Sequence, residues 1–477
     1  MFYRFACLLL LALIAFPVFS QNTPFGAVPS PQQRAWHDME YYAFIHFGVN
    51  TFTDLEWGKG AENPRIFNPS SLDCRQWARI AKAAGMRGIV LTAKHHDGFC
   101  LWPSAYTEHD VASSSWKNGR GDLVRELADA CREYGLKMGV YISPWDRNNP
   151  IYGKDDAAYN TYFKNQLREL LGNYGPIFEV WFDGANGDKN DPEKYQEYDW
   201  KGFRQVVNEL QPNAVIFGAG YADVRWVGNE RGYAPETNWG TFDSARRNPN
   251  ADAEIPLLQH GVKGGDLYWP AETDVSIRPG WFYHPEEDQR VKSADHLEAI
   301  YYQSVGHNTN LILNIPIDRR GLVHPADSTA MLQLKSRLDQ TFTRALAKDA
   351  KINWPDTRTA IIELPDSRTF NVLTIQEKIE SGQRVEAWEV DAWVNNTWKT
   401  IGTATTIGHR RWLNVPATHT HKLRIRFTAA LADPIIASIG LYFRPHQNYL
   451  LESKPDKEQR MAWWKDDAFG MFIHWGA

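Results

Sequence analysis

The chain has 477 residues, 43% hydrophobic and 23% charged, a composition that excludes a disordered protein and supplies the apolar residues of a large core. Its 52 basic and 57 acidic residues give a net charge of −5, which argues against a nucleic-acid partner. Aromatic residues make up 13%, including 20 Trp and 20 Tyr, which suits a heavy core or surfaces that stack on sugar rings.

Residues 1–20 have the pattern of a secretory signal peptide. Arg4 gives a positive start, residues 8–16 form an apolar run, and Ser20 ends a segment at the usual cleavage spacing. The run is too short for a permanent membrane helix, and no later stretch is long enough for a membrane span. We therefore expect an exported protein, periplasmic or extracellular, whose folded part begins near Gln21.

Three cysteines remain once Cys7 has left with the signal peptide, and they are Cys74, Cys100 and Cys131. An odd number in an exported protein argues against a disulfide framework. We expect buried thiols instead.

From residue 30 to residue 345, short apolar runs alternate with amphipathic helical patterns. Strands are predicted at 41–49, 88–93, 137–143, 177–182, 214–217 and 310–317, and helices at 72–84, 122–134, 159–173, 200–210, 294–305 and 328–342. This alternation is typical of parallel βαβ units, and strands buried on both faces favour an α/β fold of the (β/α)8-like TIM-barrel type. The loop-rich stretch 218–287 resembles binding loops more than core.

Residues 346–447 have a different hydrophobic pattern. Short period-two patterns occur at 359–364, 370–376, 385–394, 398–404, 422–427 and 435–443, and Asn395-Asn396 supplies a hairpin turn. These patterns predict a C-terminal β-sandwich domain of ordinary size. We expect it to pack on the barrel and stabilise it, with sugar binding as the alternative.

Residues 455–477 repeat the beginning of the barrel. Glu458-Gln459-Arg460-Met461-Ala462-Trp463-Trp464 and Phe472-Ile473-His474-Trp475-Gly476 match Gln33-Arg34-Ala35-Trp36 and Phe44-Ile45-His46-Phe47-Gly48 with the same spacing between Trp and Phe. We interpret this segment as the start of a truncated second module, because one βα unit cannot bury its own apolar face. A tail docked on the first module is the alternative, and in either case His474 is not expected to be catalytic.

Four of the predicted strands end in polar residues. The segments are Phe44-Ile45-His46-Phe47-Gly48, Lys94-His95-His96-Asp97-Gly98, Tyr141-Ile142-Ser143 and Trp181-Phe182-Asp183-Gly184. Because chemistry in a barrel lies at the carboxyl ends of its strands, we expect these residues to converge on one mouth. Asp183 is the sharpest candidate, although a turn-forming Asp-Gly pair is the commonest role of such a dipeptide.

A metal site at His95, His96 and Asp97 is the less favoured interpretation. Consecutive strand residues point to opposite faces, so both imidazoles reach one ion only through a bulge, and the chain has no His-x-His pair. We expect no metal and no cofactor. The imidazoles are interpreted as hydrogen-bonding groups for a hydroxylated ligand, which requires the same bulge.

Five motifs in this order resemble the α-L-fucosidases of glycoside hydrolase family 29. They are Phe44-Ile45-His46-Phe47-Gly48, Glu56-Trp57, Lys94-His95-His96-Asp97-Gly98-Phe99, Val180-Trp181-Phe182-Asp183-Gly184-Ala185-Asn186 and Val224-Arg225-Trp226-Val227-Gly228-Asn229-Glu230. Each motif alone is weak, but the ordered set is specific. The last two motifs are similar to the branch that prefers α-1,3- and α-1,4-linked fucose.

The resemblance implies retaining hydrolysis of a fucosylated oligosaccharide or glycoconjugate through a covalent fucosyl-enzyme. Asp183 matches the nucleophile and Glu230 the acid/base, with Glu236 as a second candidate for the latter role. The positions that match fucose contacts are His46, Glu56, Trp57, His95, His96, Tyr141, Arg225 and Trp281. We expect the Arg225 guanidinium to lie beside Asp183 and help keep it ionised.

Two other functions stay open. A barrel glycosidase for another hexose would keep the two carboxylates but need a polar group where fucose carries its methyl. A non-catalytic glycan-binding protein would keep the aromatic rings without needing two carboxylates about 5 to 5.5 Å apart, the separation that retention requires.

Overall fold

The computed structural model describes residues 24–187, 195–218, 221–247 and 255–467, the side chains of 463–467 excepted. The predicted signal peptide and the predicted strand at His474 lie outside the described residues. Within the described part of the chain, none of the helices combines the length and the apolar character needed to span a bilayer.

Eight parallel strands form the barrel. The first ten strands of the chain are β1 (Tyr41–Ile45), β2 (Gly88–Lys94), β3 (Lys137–Ile142), β4 (Ile177–Trp181), β5 (Val215–Phe217), β6 (Arg225–Trp226), β7 (Thr241–Phe242), β8 (Leu267–Tyr268), β9 (Ala271–Ser276) and β10 (Asn310–Asn314). The barrel order is β5-β4-β3-β2-β1-β10-β9-β6, and β7 pairs with β8. Between β5 and β6 a single bridge, Phe217–Val224, continues the ring. The predicted TIM barrel is confirmed.

The helices follow the predicted alternation. They are α1 (Pro31–His37), α2 (Val49–Thr53), α3 (Cys74–Ala83), α4 (Leu123–Tyr134), α5 (Asp156–Asn173), α6 (Trp200–Leu210), α7 (Ile255–His260), α8 (Ala294–Ser304), α9 (Pro325–Phe342) and α10 (Lys454–Asp467). Helix α4 shows why the helix boundaries could be predicted from the sequence. Asp122 caps its first turn, and Gly135 ends the helix in the left-handed conformation. All three described cysteines are free and buried, as expected.

Two barrel strands lie where the sequence indicates only loops. β6 has two residues, and every side chain of β9 is buried, including Glu272 and Asp274. Inside the barrel, Glu272 accepts hydrogen bonds from Trp181 Nε1 at 2.9 Å and from the Tyr42 hydroxyl. The buried polar side chains of β9 have hydrogen-bond partners inside the barrel. The strand therefore lacks the apolar pattern by which strands are recognised. The first strand also ends earlier than predicted, at Ile45.

An antiparallel β-domain follows the barrel. Its strands are β11 (Lys351–Asp356), β12 (Thr359–Glu377), β13 (Val385–Val394), β14 (Thr397–Ala404), β15 (Arg411–Ala430) and β16 (Ile436–Tyr442). The long strands β12 and β15 pair with each other and shift register along their length. β12 also pairs with β11 and β16, β15 also pairs with β13, and β14 is added at the far side of β13. The Asn395-Asn396 turn between β13 and β14 has positive φ at both residues, which confirms the predicted hairpin.

The β-domain packs against several segments of the barrel, and one of them is the loop at residues 236–240. The Thr405 hydroxyl donates to the Glu236 carbonyl at 2.9 Å, and Thr406 Oγ1 accepts the Asn238 N–H at 2.8 Å. Farther along the same loop, the Gly240 N–H donates to Gln383 at 2.7 Å. The expected packing of the two units is therefore observed, and several of its hydrogen bonds hold residues 236–240.

Candidate active site

Asp183 lies just beyond β4, at the carboxyl end of the barrel. The Tyr141 hydroxyl donates to its Oδ2 at 2.9 Å, and the Ala185 N–H donates to Oδ1 at 2.8 Å. Burial and the neighbouring carboxylate raise the pKa of Tyr141 well above its ordinary value, so the phenol stays a donor. The Asp183 side chain remains 26% exposed. A carboxylate fixed at both oxygens and still open to a ligand is suited to nucleophilic attack.

His46, His95 and His96 lie together beside Asp183. The ring centroids of His95 and His96 are 4.0 Å apart, and those of His46 and His95 are 5.8 Å apart. His96 Nε2 lies 3.8 Å from Asp183 Oδ2. The register of β2 against β3 shifts between Thr92 and Lys94, immediately before the histidines. This is the irregularity that the sequence argument required for both imidazoles to face one ligand.

The hydrogen bonds fix how these imidazoles can act. Burial lowers the pKa of His46 to about 3, and it lowers the pKa values of His95 and His96 as well, so the rings are neutral. His46 Nδ1 donates to Asn314 Oδ1 at 2.7 Å, since the Asn314 amide itself donates to the Trp281 carbonyl. Nε2 of His46 is therefore a hydrogen-bond acceptor.

The tautomer of His96 is fixed in the same way by its hydrogen-bond partners. Its Nδ1 lies 2.8 Å from the Ser143 hydroxyl, and that hydroxyl donates to the Trp145 carbonyl. His96 Nδ1 therefore carries the proton, and Nε2 presents a lone pair toward Asp183. A ligand hydroxyl placed here can donate to His96.

Glu230 lies on the other side of the mouth, four residues after β6. Trp281 Nε1 donates to its Oε2 at 3.3 Å, and the Trp281 ring lies 5.2 Å from that of His46. Burial raises the pKa of Glu230; the Trp281 bond lowers it, and the negative charges of Asp183 and Glu56 raise it further. A carboxyl group with a raised pKa, on the same mouth as a second, hydrogen-bonded carboxylate, is the arrangement of a general acid and a nucleophile.

Glu56 binds the loop that carries Trp281. Its Oε2 accepts the Trp281 N–H at 2.9 Å, and Oε1 accepts the Phe282 N–H at 3.1 Å and lies 2.7 Å from His284 Nε2. His284 Nδ1 in turn lies 2.9 Å from Asp54. Burial opposes the charge of His284, but the two carboxylates prevail and raise its pKa. Glu56 is thus first a clamp on the Trp281 loop, with capacity left on Oε2 for one ligand hydroxyl.

Trp57 lies on the rim, where 57% of it is exposed. Its ring meets those of His96 and Trp145 edge-on, at 5.7 Å and 5.6 Å between centroids. An exposed indole held this way can cover one face of a sugar.

Arg225 is not part of this group, contrary to the sequence-based expectation. Its guanidinium is fully buried and donates to the carbonyls of Leu258 and Trp239 at 2.9 Å each, to the carbonyl of Trp269 and to Asn238. Because these acceptors take up the N–H groups of the guanidinium, Arg225 organises the loops behind β6. It does not lie in ion-pair contact with Asp183.

Glu236 lies away from the mouth as well. Its carboxylate is 2.9 Å from Lys454 Nζ and 3.7 Å from Arg411, at the boundary with the β-domain. Of the two glutamates considered for the acid/base position, only Glu230 contacts the residues of the barrel mouth.

Several residues at or near the barrel mouth were not predicted from the sequence. Asp274 of β9 is buried and accepts the Trp226 Nε1–H at 2.9 Å, and burial together with the charge of Glu230 raises its pKa well above the ordinary value. Trp145 packs on His96 at 5.0 Å. Asn314 ends β10 in the structure, but the strand was predicted to run from 310 to 317, so the strand-end position of Asn314 gave no signal. Asp274 offered none either, since its strand was not recognised.

The mouth therefore combines two carboxylates in different environments, neutral imidazoles and aromatic rings. A parallel barrel with such a site is that of a glycoside hydrolase.

Comparison with known proteins agrees. The family model "Alpha-L-fucosidase" matches residues 25–340. The chain is 40% identical over 453 residues to "Alpha-L-fucosidase 1" of Arabidopsis thaliana, covering 88% of both chains. It is similar to a crystal structure of a glycoside hydrolase 29 family member from an unknown rumen bacterium, with 47% identity and a TM-score of 0.83 over 89% of this chain and 79% of that one. It also resembles a Ruminococcus gnavus GH29 fucosidase in complex with fucose, with 30% identity, TM-score 0.81, and coverage of 90% and 97%.

The chain belongs to the α-L-fucosidase family, glycoside hydrolase family 29. It is an α-L-fucosidase-type glycoside hydrolase.

Proposed function

We propose that this enzyme is an exo-acting, retaining α-L-fucosidase that removes terminal α-1,3- or α-1,4-linked L-fucose from oligosaccharides or glycoconjugates. Asp183 is the nucleophile and Glu230 the acid/base. The observation that carries the proposal is the contrast between the two carboxyl groups, because Asp183 is held by two donors whereas burial raises the pKa of Glu230.

In the first step a carboxylate oxygen of Asp183 bonds to the anomeric carbon of fucose as the bond from that carbon to the glycosidic oxygen breaks. Protonated Glu230 gives its proton to the departing oxygen. In the second step Glu230, now ionised, takes a proton from water, and the water oxygen displaces Asp183 from the anomeric carbon. The Trp281 Nε1–H stabilises the ionised form of Glu230 between the two steps.

Fucose recognition falls to the remaining groups of the mouth. The lone pairs at His46 Nε2 and His96 Nε2 and the free capacity of Glu56 match three sugar hydroxyl donors. The aromatic rings of Trp57 and Trp281 offer apolar surface to the deoxysugar and its methyl group. His95 and Tyr141 complete the set that we assign to substrate binding, and Arg225 is excluded from it because its guanidinium is bound to backbone carbonyls.

The decisive experiment is mechanism-based labelling. Enzyme inactivated by a 2-fluoro-fucosyl donor and digested with pepsin is expected to carry the 2-fluorofucosyl group on the peptide that contains Asp183. Label on another residue, or complete hydrolysis without any trapped species under conditions that trap a retaining fucosidase, would refute the assignment. The α anomer of fucose as the first product, followed by NMR, tests retention independently.

The linkage preference is tested with a panel. Purified enzyme is incubated with α-1,2-, α-1,3-, α-1,4- and α-1,6-fucosylated oligosaccharides, and we expect faster release from the α-1,3 and α-1,4 isomers. The same assay with aryl galactosides addresses the rival hexose function. Galactose release at a rate comparable to fucose release would contradict the proposed role of the apolar wall.

We also propose that residues 1–20 direct export to the periplasm or the extracellular space. Expression of the full sequence in a Gram-negative host and N-terminal sequencing of the fractionated product tests this. Cleavage near Gln21 is the expected result, and an intact N-terminus in the cytoplasmic fraction would contradict it.

A further inference from the structure

A cavity of about 530 Å³ is lined mainly by residues of the loops that follow β3 and β4. Trp145 forms one wall, and its ring lies 5.0 Å from His96, which itself approaches Asp183. Asn186, three residues after Asp183, also lines the cavity and accepts a hydrogen bond from Tyr152 at 2.6 Å. The cavity therefore adjoins the sugar site but is lined by residues to which the fucosidase mechanism gives no task.

Three cationic side chains line this cavity: Lys59, Arg147 and Lys154. Among the residues that the structure describes, none of the three has a carboxylate within 4.0 Å. Among the described lining residues the one carboxylate, Asp146, is buried and already bound to Lys94 Nζ at 3.1 Å. Positive charge thus predominates in the described lining, in a protein whose net charge is −5.

Arg147 is positioned to receive a ligand. Its guanidinium lies 5.3 Å from the centroid of the Trp145 ring, and Nη1 donates to the Gly58 carbonyl at 2.6 Å. The remaining N–H groups keep the planar fork that suits a carboxylate or a sulfate. Lys154 Nζ donates to the Pro150 carbonyl at 2.9 Å and has further protons to give. The charge of Arg147 also acts on His96, whose pKa is lowered first by burial and further by this guanidinium.

We propose that this cavity is a subsite for an anionic substituent, a sulfate ester or a carboxylate, on the part of the substrate that carries the fucose. The inference rests on the proposed function. Trp145 provides the surface for a sugar ring, and Arg147 and Lys59 bind the anion. The enzyme then prefers acidic fucosylated glycans to neutral ones of the same linkage.

The test compares one fucosylated oligosaccharide in three forms: neutral, sulfated, and carrying a carboxylate sugar. We expect kcat/KM to be higher for an anionic form than for the neutral one by about tenfold, as for a charge-assisted hydrogen bond. The preference is expected to shrink in high salt, because exposed charges are screened. A preference for only one anionic form identifies which anion the cavity takes, whereas equal rates for all three forms or faster hydrolysis of the neutral form would overturn the proposal.

Variants locate the effect. Arg147→Gln should reduce the ratio of anionic to neutral kcat/KM by about tenfold, and Lys59→Gln by about threefold. Lys59 Nζ makes no hydrogen bond in the described structure, so its replacement does not perturb folding. Lys82→Gln, on the surface of α3, is the matched control and should leave the ratio unchanged. An unchanged ratio in both cavity variants would refute the assignment.

Binding without turnover separates this inference from the fucosidase proposal. Calorimetric titration of Asp183→Ala with the three oligosaccharides should show tighter binding of an anionic form. If no substrate is hydrolysed by the unmodified enzyme, the proposed function fails. If fucose is released but the anionic and neutral forms bind equally, only the subsite fails.

Discussion

The two sides of the barrel mouth are built differently. On the side of β1 to β4, apolar strands run up to the mouth and then end in His46, His95, Tyr141 and Asp183. On the side of β6 and β9, one strand has two residues and the other carries carboxylic acids into the barrel interior. The proposed nucleophile, Asp183, belongs to the first side, and the proposed acid/base, Glu230, belongs to a loop of the second. The first side therefore depends on hydrophobic burial for its geometry, and the second on hydrogen bonds between buried polar groups.

The largest effect is expected on the first side. Asp183→Ala should reduce kcat by at least about 10⁴-fold on every substrate, because no other group can form the covalent bond. Michaelis–Menten kinetics with an aryl α-L-fucoside measure this, and thermal unfolding is the control for folding. Tyr141→Phe should retain more activity, since it removes a single donor from Asp183. Substantial turnover by Asp183→Ala would show that the first side does not supply the nucleophile.

On the second side, the loss should depend on the leaving group. Glu230→Ala is expected to cost about 10² to 10⁴-fold on a natural glycan, but much less on a dinitrophenyl fucoside, which leaves without a proton. Azide should restore activity as a substitute nucleophile in the second step. Glu236→Ala is the matched control and should behave like the unmodified enzyme, since its carboxylate pairs with Lys454. The reverse pattern would move the acid/base to Glu236.

Arg225 tests whether buried hydrogen bonds organise the second side. Arg225→Met should lower the free energy of unfolding by about 3 kcal/mol, because the carbonyls of Leu258 and Trp239 lose their donor. Denaturant unfolding followed by tryptophan fluorescence measures the change. KM for an aryl fucoside should stay the same in the folded variant. A raised KM with unchanged stability would instead restore Arg225 to substrate binding.

The smallest effect concerns pH. In the proposed mechanism the protonated form of Glu230 is the active acid, so kcat/KM should fall as pH rises through the pKa of Glu230. Because the Trp281 N–H stabilises the ionised form, Trp281→Phe should move this alkaline limb upward, by about half a pH unit. Trp57→Phe, which removes no donor from Glu230, should leave the limb in place. A downward shift in Trp281→Phe would contradict the hydrogen bond.

The same contrast explains how far the sequence could be interpreted. Strands β1 to β5 were found because residues such as Val90, Val140 and Val180 form runs that only burial explains. Strand β9 was missed, since Glu272 and Asp274 are buried in partnership with tryptophan N–H groups that lie far away in the chain. Local sequence holds no information about such partners.

Among the site residues, the histidine pair and Asp183 were recognised at strand ends, and the bulge before His95 was anticipated from strand geometry. The prediction that Arg225 lies beside Asp183 was wrong. Three of the four acceptors of its guanidinium are backbone carbonyls, which no side-chain pattern reveals. The family resemblance indicated Glu230 as the acid/base. Choosing between Glu230 and Glu236 required the structure, in which Glu236 pairs with Lys454.

Hydrogen bonds between residues 236–240 and the β-domain residues Thr405, Thr406 and Gln383 join the β-domain to the side of the mouth that carries Glu230. A recombinant barrel ending near residue 345 would expose that loop's amides and carbonyls to water and release the segment that follows Glu230. We therefore expect that shortening this enzyme, or exchanging its C-terminal domain for that of a relative, changes the position of the proposed general acid, Glu230.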